Sequence, residues 1–374
     1  MIMNKNNLAI GLMSGTSADG LTAALCCIEG KKIRVLDFAN YEYSADLHNR
    51  IVKARDLRTP ALSALNFELG RLWGRYLSDF FNRNGLQRGG VCSVASHGQT
   101  VWHYPALEGG NTLQIGEASF LCEETGCPVV CDFRPADMAA GGEGAPLVPF
   151  FDEWLYGDGD PVALQNIGGV GNIAFAGRGI SVSGFDTGPG NSLMDSVVSV
   201  KSRGTETYDA GGKLAASGHP DLEKVRKMLE TPYFSEKPPK SLERSVFSEK
   251  FVYENFGAVT EENSADIMAT LNMFTAASIA DAFKRFAPPG VKKIVIAGGG
   301  ALNPVLMSNI KLLFADIGVK ALSSAEEGLH PLAKEAACFA LMGFLAVNRR
   351  TNHCPAATGA KGERILGKII LPVL

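Results

Sequence analysis

The 374 residues predict a two-domain α/β protein, two similar halves facing each other across a ligand cleft. Three observations lead there. Strand-like apolar runs alternate with helix-like segments along the chain. A strand–glycine loop–strand unit at Gly11–Gly20 (GLMSGTSADG) recurs at Asn166–Asn172 (NIGGVGN), which suggests a duplicated plan resting on pattern rather than identity. The length suits two domains of ordinary size.

The elements follow in order. Leu8–Ile10 enters the first glycine loop and Leu21–Ile28 leaves it, a hairpin. Ala45–Asn84 reads as helical, with Leu65, Leu69, Leu72 and Tyr76 at helix spacing. Val91–Ser96 is a strand ending in HGQT, Thr112–Ile115 another, then a helical GEASFLCEETG and the strand Pro128–Cys131. Asp132–Pro149 is rich in Gly, Ala and Pro and reads as a long irregular loop, more often functional than idle. Strands at Pro161–Gln165, Ile173–Ala176 and Gly179–Phe185 follow, then a helix from about Asn191. Glu262–Phe286 is a long helix, Lys293–Ala297 a buried strand, a helix starts near Val305, Leu332–Val347 is an apolar helix, and Arg364–Leu371 a final strand.

Composition narrows the class. Hydrophobic residues make up 46% and charged residues 20%, as in soluble globular chains. A net charge of −3 gives no general reason to bind nucleic acid or an anionic membrane. No apolar run is long enough to span a bilayer, and the apolar N-terminal stretch is too short for a signal peptide, so a cytoplasmic protein is expected. The eight cysteines (26, 27, 92, 122, 127, 131, 338, 354) form no C-x-x-C pair and read as small hydrophobes of a reducing compartment.

Four glycine-rich loops each follow an apolar strand: Gly11–Gly20, Asn166–Asn172, Asp186–Asn191 and Gly298–Asn303. In an open α/β sheet such loops line the ligand crevice. The first matches neither the G-x-x-x-x-G-K-[ST] nor the G-x-G-x-x-G spacing. It reads as a hairpin phosphate grip or, alone, equally as a ligand-free turn. The four together favour a nucleoside triphosphate, with Gly298–Gly300 lying flat against an adenosine. Asp186, in GFDTGPGN, reads as a general base, or else as a cap for the helix near Asn191. Asp19 is a turn former or a ligand contact. His97 and Gln99, beside Trp102 and His103, suit a carbohydrate or a structural role. Arg134, near Asp132 and Asp137, reads as part of a salt-bridged junction or as a bidentate grip on a substrate carboxylate. Glu335, a charge in an apolar helix, is expected to point into the cleft. Lys237, Lys240 and Arg244 read as a solvated loop.

Together GLMSGTSADG, SHGQTVWH, TLQIGE, DFRPADMAAGGEGAPLVP, NIGGVGN, FDTGPGN, AGGGALNP, AKEAACFA and TGAKGERILGKI resemble the anhydro-N-acetylmuramic acid kinase family, over nearly the whole chain. The resemblance implies two ribonuclease-H-like α/β domains of the actin-like ATPase duplication, residues 1–135 with about 352–374, and 136–351. It implies an enzyme that uses ATP, Mg²⁺ and water to open the 1,6-anhydro ring and phosphorylate O6, in cell-wall recycling. Asp186 matches the catalytic base. Gly15, Thr16, Ser17, Ala18, Asp19, Gly20, Leu21 and Thr22 match the ATP loop. Asn166, Gly168, Gly169, Gly188, Gly298, Gly299, Gly300 and Asn303 are expected to complete the nucleotide site. Asp19, His97, Arg134 and Glu335 match the sugar contacts. Thr22 and Glu143 depart from the family's usual Asp and Gln. A homodimer is expected. The alternatives are a kinase of another anhydro-sugar such as levoglucosan, which has no acid for Arg134, and an actin-like ATPase switch.

Overall fold

The computed structural model describes residues 5–105, 109–242 and 246–373, without the side chains of 181–183. Arg244 lies outside the described residues. Twelve strands occur among them: β1 (Leu8–Ser14), β2 (Gly20–Glu29), β3 (Lys32–Glu42), β4 (Ser93–Tyr104), β5 (Asn111–Ile115), β6 (Val129–Cys131), β7 (Val162–Ile167), β8 (Val170–Gly177), β9 (Ile180–Pro189), β10 (Lys293–Ala297), β11 (Lys320–Ser323) and β12 (Lys368–Ile370). The chain divides into two compact units, Met1–Leu155 with Ala333–Leu374, and Tyr156–Leu332.

The first unit holds a seven-stranded sheet in the order β12-β6-β4-β1-β2-β3, with β5 paired to β4. β1, β2 and β3 form an antiparallel meander, and β4 and β6 run parallel to β1. The second unit repeats the plan as β11-β10-β7-β8-β9: an antiparallel meander β7-β8-β9, with β10 and β11 parallel to β7. One order and one set of directions occurring twice is the ribonuclease-H-like duplication.

Each sheet is buried as parallel strands require. In the first unit Trp73, Phe80, Leu69 and Leu77, on the helix Thr59–Arg83, are fully buried against β1 and β2 residues such as Ile10, Leu12 and Leu25. The helix Lys334–Val347 packs so closely on β1 that a Cβ at Gly11 would lie 1.8 Å from Ala336 O. That contact assigns the helix to the first unit, so the boundaries expected at 135/136 and 351/352 move to Leu155/Tyr156 and Leu332/Ala333. In the second unit the helix Ser264–Phe286 covers the sheet with Phe274, Ile279 and Phe283.

Several local expectations change. Ala45–Asn84 is interrupted after Val52 and restarts at Thr59, with Pro60 in the first turn, where its missing N–H costs no hydrogen bond. HGQT lies inside β4 rather than after it, because β5 pairs with the strand's second half. The Asp132–Pro149 run contains a helix, Arg134–Ala139, and begins another at Val148. Only Gly168 and Gly169 of NIGGVGN lie outside strands, and Asp186–Pro189 belong to β9.

Candidate functional site

In the first unit, the hairpin between β1 and β2 exposes the hydroxyls of Thr16 and Ser17 at its tip. Ala18 is buried at φ 57°, and its N–H donates to Gly15 O (3.0 Å). The Leu21 side chain is buried, so only its backbone can face a ligand. Beneath the loop runs a chain of buried polar groups. Trp73 Nε1–H donates to Tyr43 Oη (2.8 Å), which meets Ser14 Oγ (2.9 Å). Ser14 Oγ–H donates to Gln99 Oε1 (2.6 Å), and Gln99 Nε2–H donates to Gly15 O (3.1 Å). Each link has one donor and one acceptor, so the run has a single consistent direction and ends on the loop's first carbonyl. Of these only Gln99 stood out in the sequence.

Asp19 is exposed, with its side chain 78% accessible, and stands 4.0 Å from His48 Nδ1. Thr22 Oγ1–H donates to Asn40 Oδ1 on the next strand (2.7 Å). His97 is buried on β4, its Nδ1 2.9 Å from Gly98 O and its Nε2 against Arg134 Nε (3.1 Å) and Nη2 (3.0 Å). Burial first, and the Arg134 charge second, push the imidazole down to about 3. Asp132, at φ 56°, makes the turn that delivers Arg134 to its helix, and Lys368 pairs with Asp132. Asp137 is not free to meet a ligand: its buried carboxylate accepts from Thr358 Oγ1 (2.6 Å) and Gly144 N (2.6 Å) and abuts His353 Nε2 (2.5 Å). Glu335 is exposed in the first turn of its helix, whose start is held by the Lys334–Asp152 ion pair (2.7 Å). So His97 and Arg134 touch, while Asp19 and Glu335 make no hydrogen bond to either.

In the second unit, Asn166, Asn172 and Asp186 are cross-strand neighbours on β7, β8 and β9. Asn172 Nδ2–H donates to Asp186 Oδ1 (3.0 Å) and Leu242 N–H to Oδ2 (2.8 Å). Asp186 is half-buried and caps no helix. Asn191, at the start of the helix Ser192–Lys201, gives no side-chain cap either. The segment around Lys240 encloses Asp186. Tyr233 Oη–H donates to Asp186 O (2.7 Å), Asp186 N–H to Lys240 O (3.2 Å), and buried Lys240 Nζ donates to Tyr233 O while lying 4.5 Å from the Tyr233 ring centroid. Lys240 is therefore a buried tether, not part of a solvated loop; burial holds its ammonium below the usual range.

The β7–β8 hairpin is held by its backbone: Gly190 N–H and Ser192 N–H donate to Gly169 O (2.9 and 3.2 Å) and Asn191 N–H to Gly168 O (2.8 Å). A Cβ at Gly190 would lie 2.2 Å from Gly168 O. Gly188 is buried against Phe234 and Ser278 and Gly300 against Ile167, and half-buried Gly298 (φ 85°) lies against Ile167 O; these glycines permit close packing. Gly299 is more open. Asn303 Oδ1 caps the helix Pro304–Ala315 by accepting from Val305 N and Leu306 N. Gly299, Leu302 and Asn303 line a cavity of about 510 Å³ with Asn191, Asp195 and Tyr208, a size that suits a nucleoside. Burial pushes the Asp195 carboxyl up to about 7. Among the described residues, no three His, Cys, Asp or Glu side chains form a metal-binding group. No helix there is long and apolar enough to cross a membrane.

A ribonuclease-H-like sheet occurring twice, with hairpin loops at equivalent strand ends, belongs to the class of duplicated ATPase-like α/β enzymes that includes sugar kinases. Comparison with known proteins narrows that class. The family model described as anhydro-N-acetylmuramic acid kinase matches residues 7–372, and the chain belongs to that family of kinases. A relative of that name from Caldanaerobacter subterraneus is 36% identical over 393 residues, covering 99% of this chain and 98% of its own. Another, from Francisella tularensis, is 37% identical over 383 residues, covering 98% and 99%. Among solved structures, component A of (R)-2-hydroxyglutaryl-CoA dehydratase from Acidaminococcus fermentans aligns at TM-score 0.46 and 11% identity, covering 91% of this chain and 99% of its own.

Proposed function

We propose that this chain uses ATP and water to convert 1,6-anhydro-N-acetylmuramic acid into N-acetylmuramic acid 6-phosphate. The observation that carries the reading is the Asp186 carboxylate, fixed on both oxygens by Asn172 Nδ2 and Leu242 N in a segment tied down by Tyr233 and Lys240. A carboxylate so held has a defined direction for its remaining lone pairs, as a general base needs.

Asp186 takes a proton from water as the water oxygen bonds to C1. The C1–O6 bond breaks, its electron pair stays on O6, and O6 bonds to the γ-phosphorus as the bond to the β-phosphate oxygen breaks. Strain in the bicyclic acetal favours opening, and the enzyme's main task is alignment. Arg134 meets the lactyl carboxylate, while Asp19 and Glu335 meet the sugar. The Gly15–Thr22 hairpin and the Asn166–Gly169 hairpin hold phosphates, and the cavity at Gly299, Leu302 and Asn303 takes the nucleoside. Mg²⁺ fits best as a metal carried by phosphate oxygens and water, given the lack of a three-ligand cluster among the described residues.

The test is product analysis in ¹⁸O-labelled water with Mg-ATP and the anhydro-sugar. The label is expected at C1 of the 6-phosphate; product lacking it overturns the water-attack step. Levoglucosan, with no acid group, leaves Arg134 without a partner and is expected to be the poorer substrate.

A further inference from the structure

Arg134 is a partly buried cation with no carboxylate partner among the described residues. Of the carboxylates closest to it in sequence, Asp132 is taken by Lys368 and Asp137 by Thr358, Gly144 and His353. Its guanidinium is held along one edge by a neutral group instead, the ring of His97.

The tautomer of that ring follows from its neighbours. Nδ1 lies 2.9 Å from a carbonyl, Gly98 O, which can only accept, so Nδ1 carries the hydrogen. Nε2 is then a bare lone pair, and Arg134 Nε (3.1 Å) and Nη2 (3.0 Å) can only donate to it. Gly98 takes φ 79° within β4, and a Cβ there would lie 2.9 Å from Gln114 Cβ, so the backbone that presents this carbonyl is itself fixed. With both nitrogens occupied and only 3% of its surface exposed, His97 has no hydrogen bond left to offer a sugar hydroxyl. An acidic residue in its place would neutralise the guanidinium. A neutral acceptor orients the charge and leaves it available, with the Nη1 edge unclaimed.

We infer that His97 is a positioning residue: a neutral acceptor that aims Arg134, charge intact, at the carboxylate of an acidic sugar. This rests on the reading of Arg134 given above, and extends it by taking His97 off the sugar. The family resemblance had implied a direct contact there.

The test measures dissociation constants by calorimetry for 1,6-anhydro-N-acetylmuramic acid and for 1,6-anhydro-N-acetylglucosamine, which lacks the lactyl acid. His97→Phe is expected to weaken the acid sugar about tenfold, the scale of one charge-assisted hydrogen bond. His97→Gln, again a neutral acceptor, restores most of the loss. His97→Glu weakens the acid sugar furthest, and none of the three alters the neutral sugar. Melting curves confirm folding, and the His97 Nδ1–H resonance of the unaltered protein persists from pH 5 to 8 without ring titration. Equal losses on both sugars, no loss in any variant, or a ring that titrates in that range overturns the proposal. Arg134→Ala tests the underlying reading separately. If it fails to discriminate between the sugars, the carboxylate grip falls, whatever His97 does.

Discussion

The hairpin after β1 and the hairpin after β7 stand at the same point of two sheets with the same strand order, yet they are held in opposite ways. The first is a longer loop, with exposed hydroxyls at Thr16 and Ser17, propped from below by side chains through Trp73, Tyr43, Ser14 and Gln99. The second has two residues outside its strands, and its carbonyls accept directly from the amides of Gly190, Asn191 and Ser192. Side-chain support leaves a loop's own amides and hydroxyls free for a ligand. Backbone support occupies the carbonyls of Gly168 and Gly169 and welds the hairpin to the start of a helix. One topology thus supplies two hairpins held by different means. The third strand of each meander differs in the same spirit: β9 carries Asp186 beside Asn172, and β3 carries Asn40 beside Thr22.

Asp186→Asn should have the largest effect, a loss of roughly 10²–10⁴-fold in kcat with nucleotide affinity retained. Steady-state rates and calorimetry check it, and full turnover in this variant would remove the distinction between β9 and β3. Gly190→Ala comes next. With backbone 2.2 Å from the new Cβ, it should cost about 1–3 kcal/mol of stability and weaken nucleotide binding about tenfold, read by melting temperature and titration. Gln99→Leu cuts the polar chain and takes one partner each from Ser14 Oγ, which keeps Gly20 O and Tyr43 Oη, and Gly15 O, which keeps Ala18 N–H, at about 1 kcal/mol. It should raise KM for ATP several-fold with kcat nearly unchanged. If it lowers only the melting temperature, the chain is core scaffolding and the contrast between the loops weakens.

The smallest effect is one of pH. The Asp195 carboxyl stands at about 7 in the folded chain against 3.8 ordinarily, because of burial. Ionising it therefore costs stability that is absent below pH 4 and builds as pH rises to 7. Asp195→Asn should raise the melting temperature above pH 7 and leave it unchanged at pH 4. His97 runs the other way: with its imidazole at about 3, the stability it gives is complete above pH 6.5 and is lost as pH falls toward 3.

The sequence made the strands flanking both hairpins legible, because apolar runs broken by glycine state their period plainly. It read Asp186–Asn191 as a loop, since Gly and Pro punctuate most chains, whereas Asp186–Pro189 continue β9 and Gly188 is pressed on Phe234 and Ser278. Glu335 reads as a charge on an apolar helix pointing out of the core, and it stands exposed in the first turn of that helix. Lys240 could not be read at all: a charged residue between prolines and a serine looks solvated, and only the fold brings Tyr233, Phe185 and Phe286 around it. His97 and Arg134 were both singled out, but their contact joins residues 37 apart and has no trace in local pattern.

The helix Lys334–Val347, pressed onto β1 without room for a Cβ at Gly11, has a consequence for how the chain is made. Synthesis runs from the N-terminus, and domains generally fold as units as they emerge. The first unit begins emerging first but lacks this helix and β12 until the end of the chain, whereas Tyr156–Leu332 is continuous and emerges whole. The order of birth and the order of completion are reversed. Until Ala333–Leu374 leaves the ribosome, the apolar face of β1 and β4 waits without its cover.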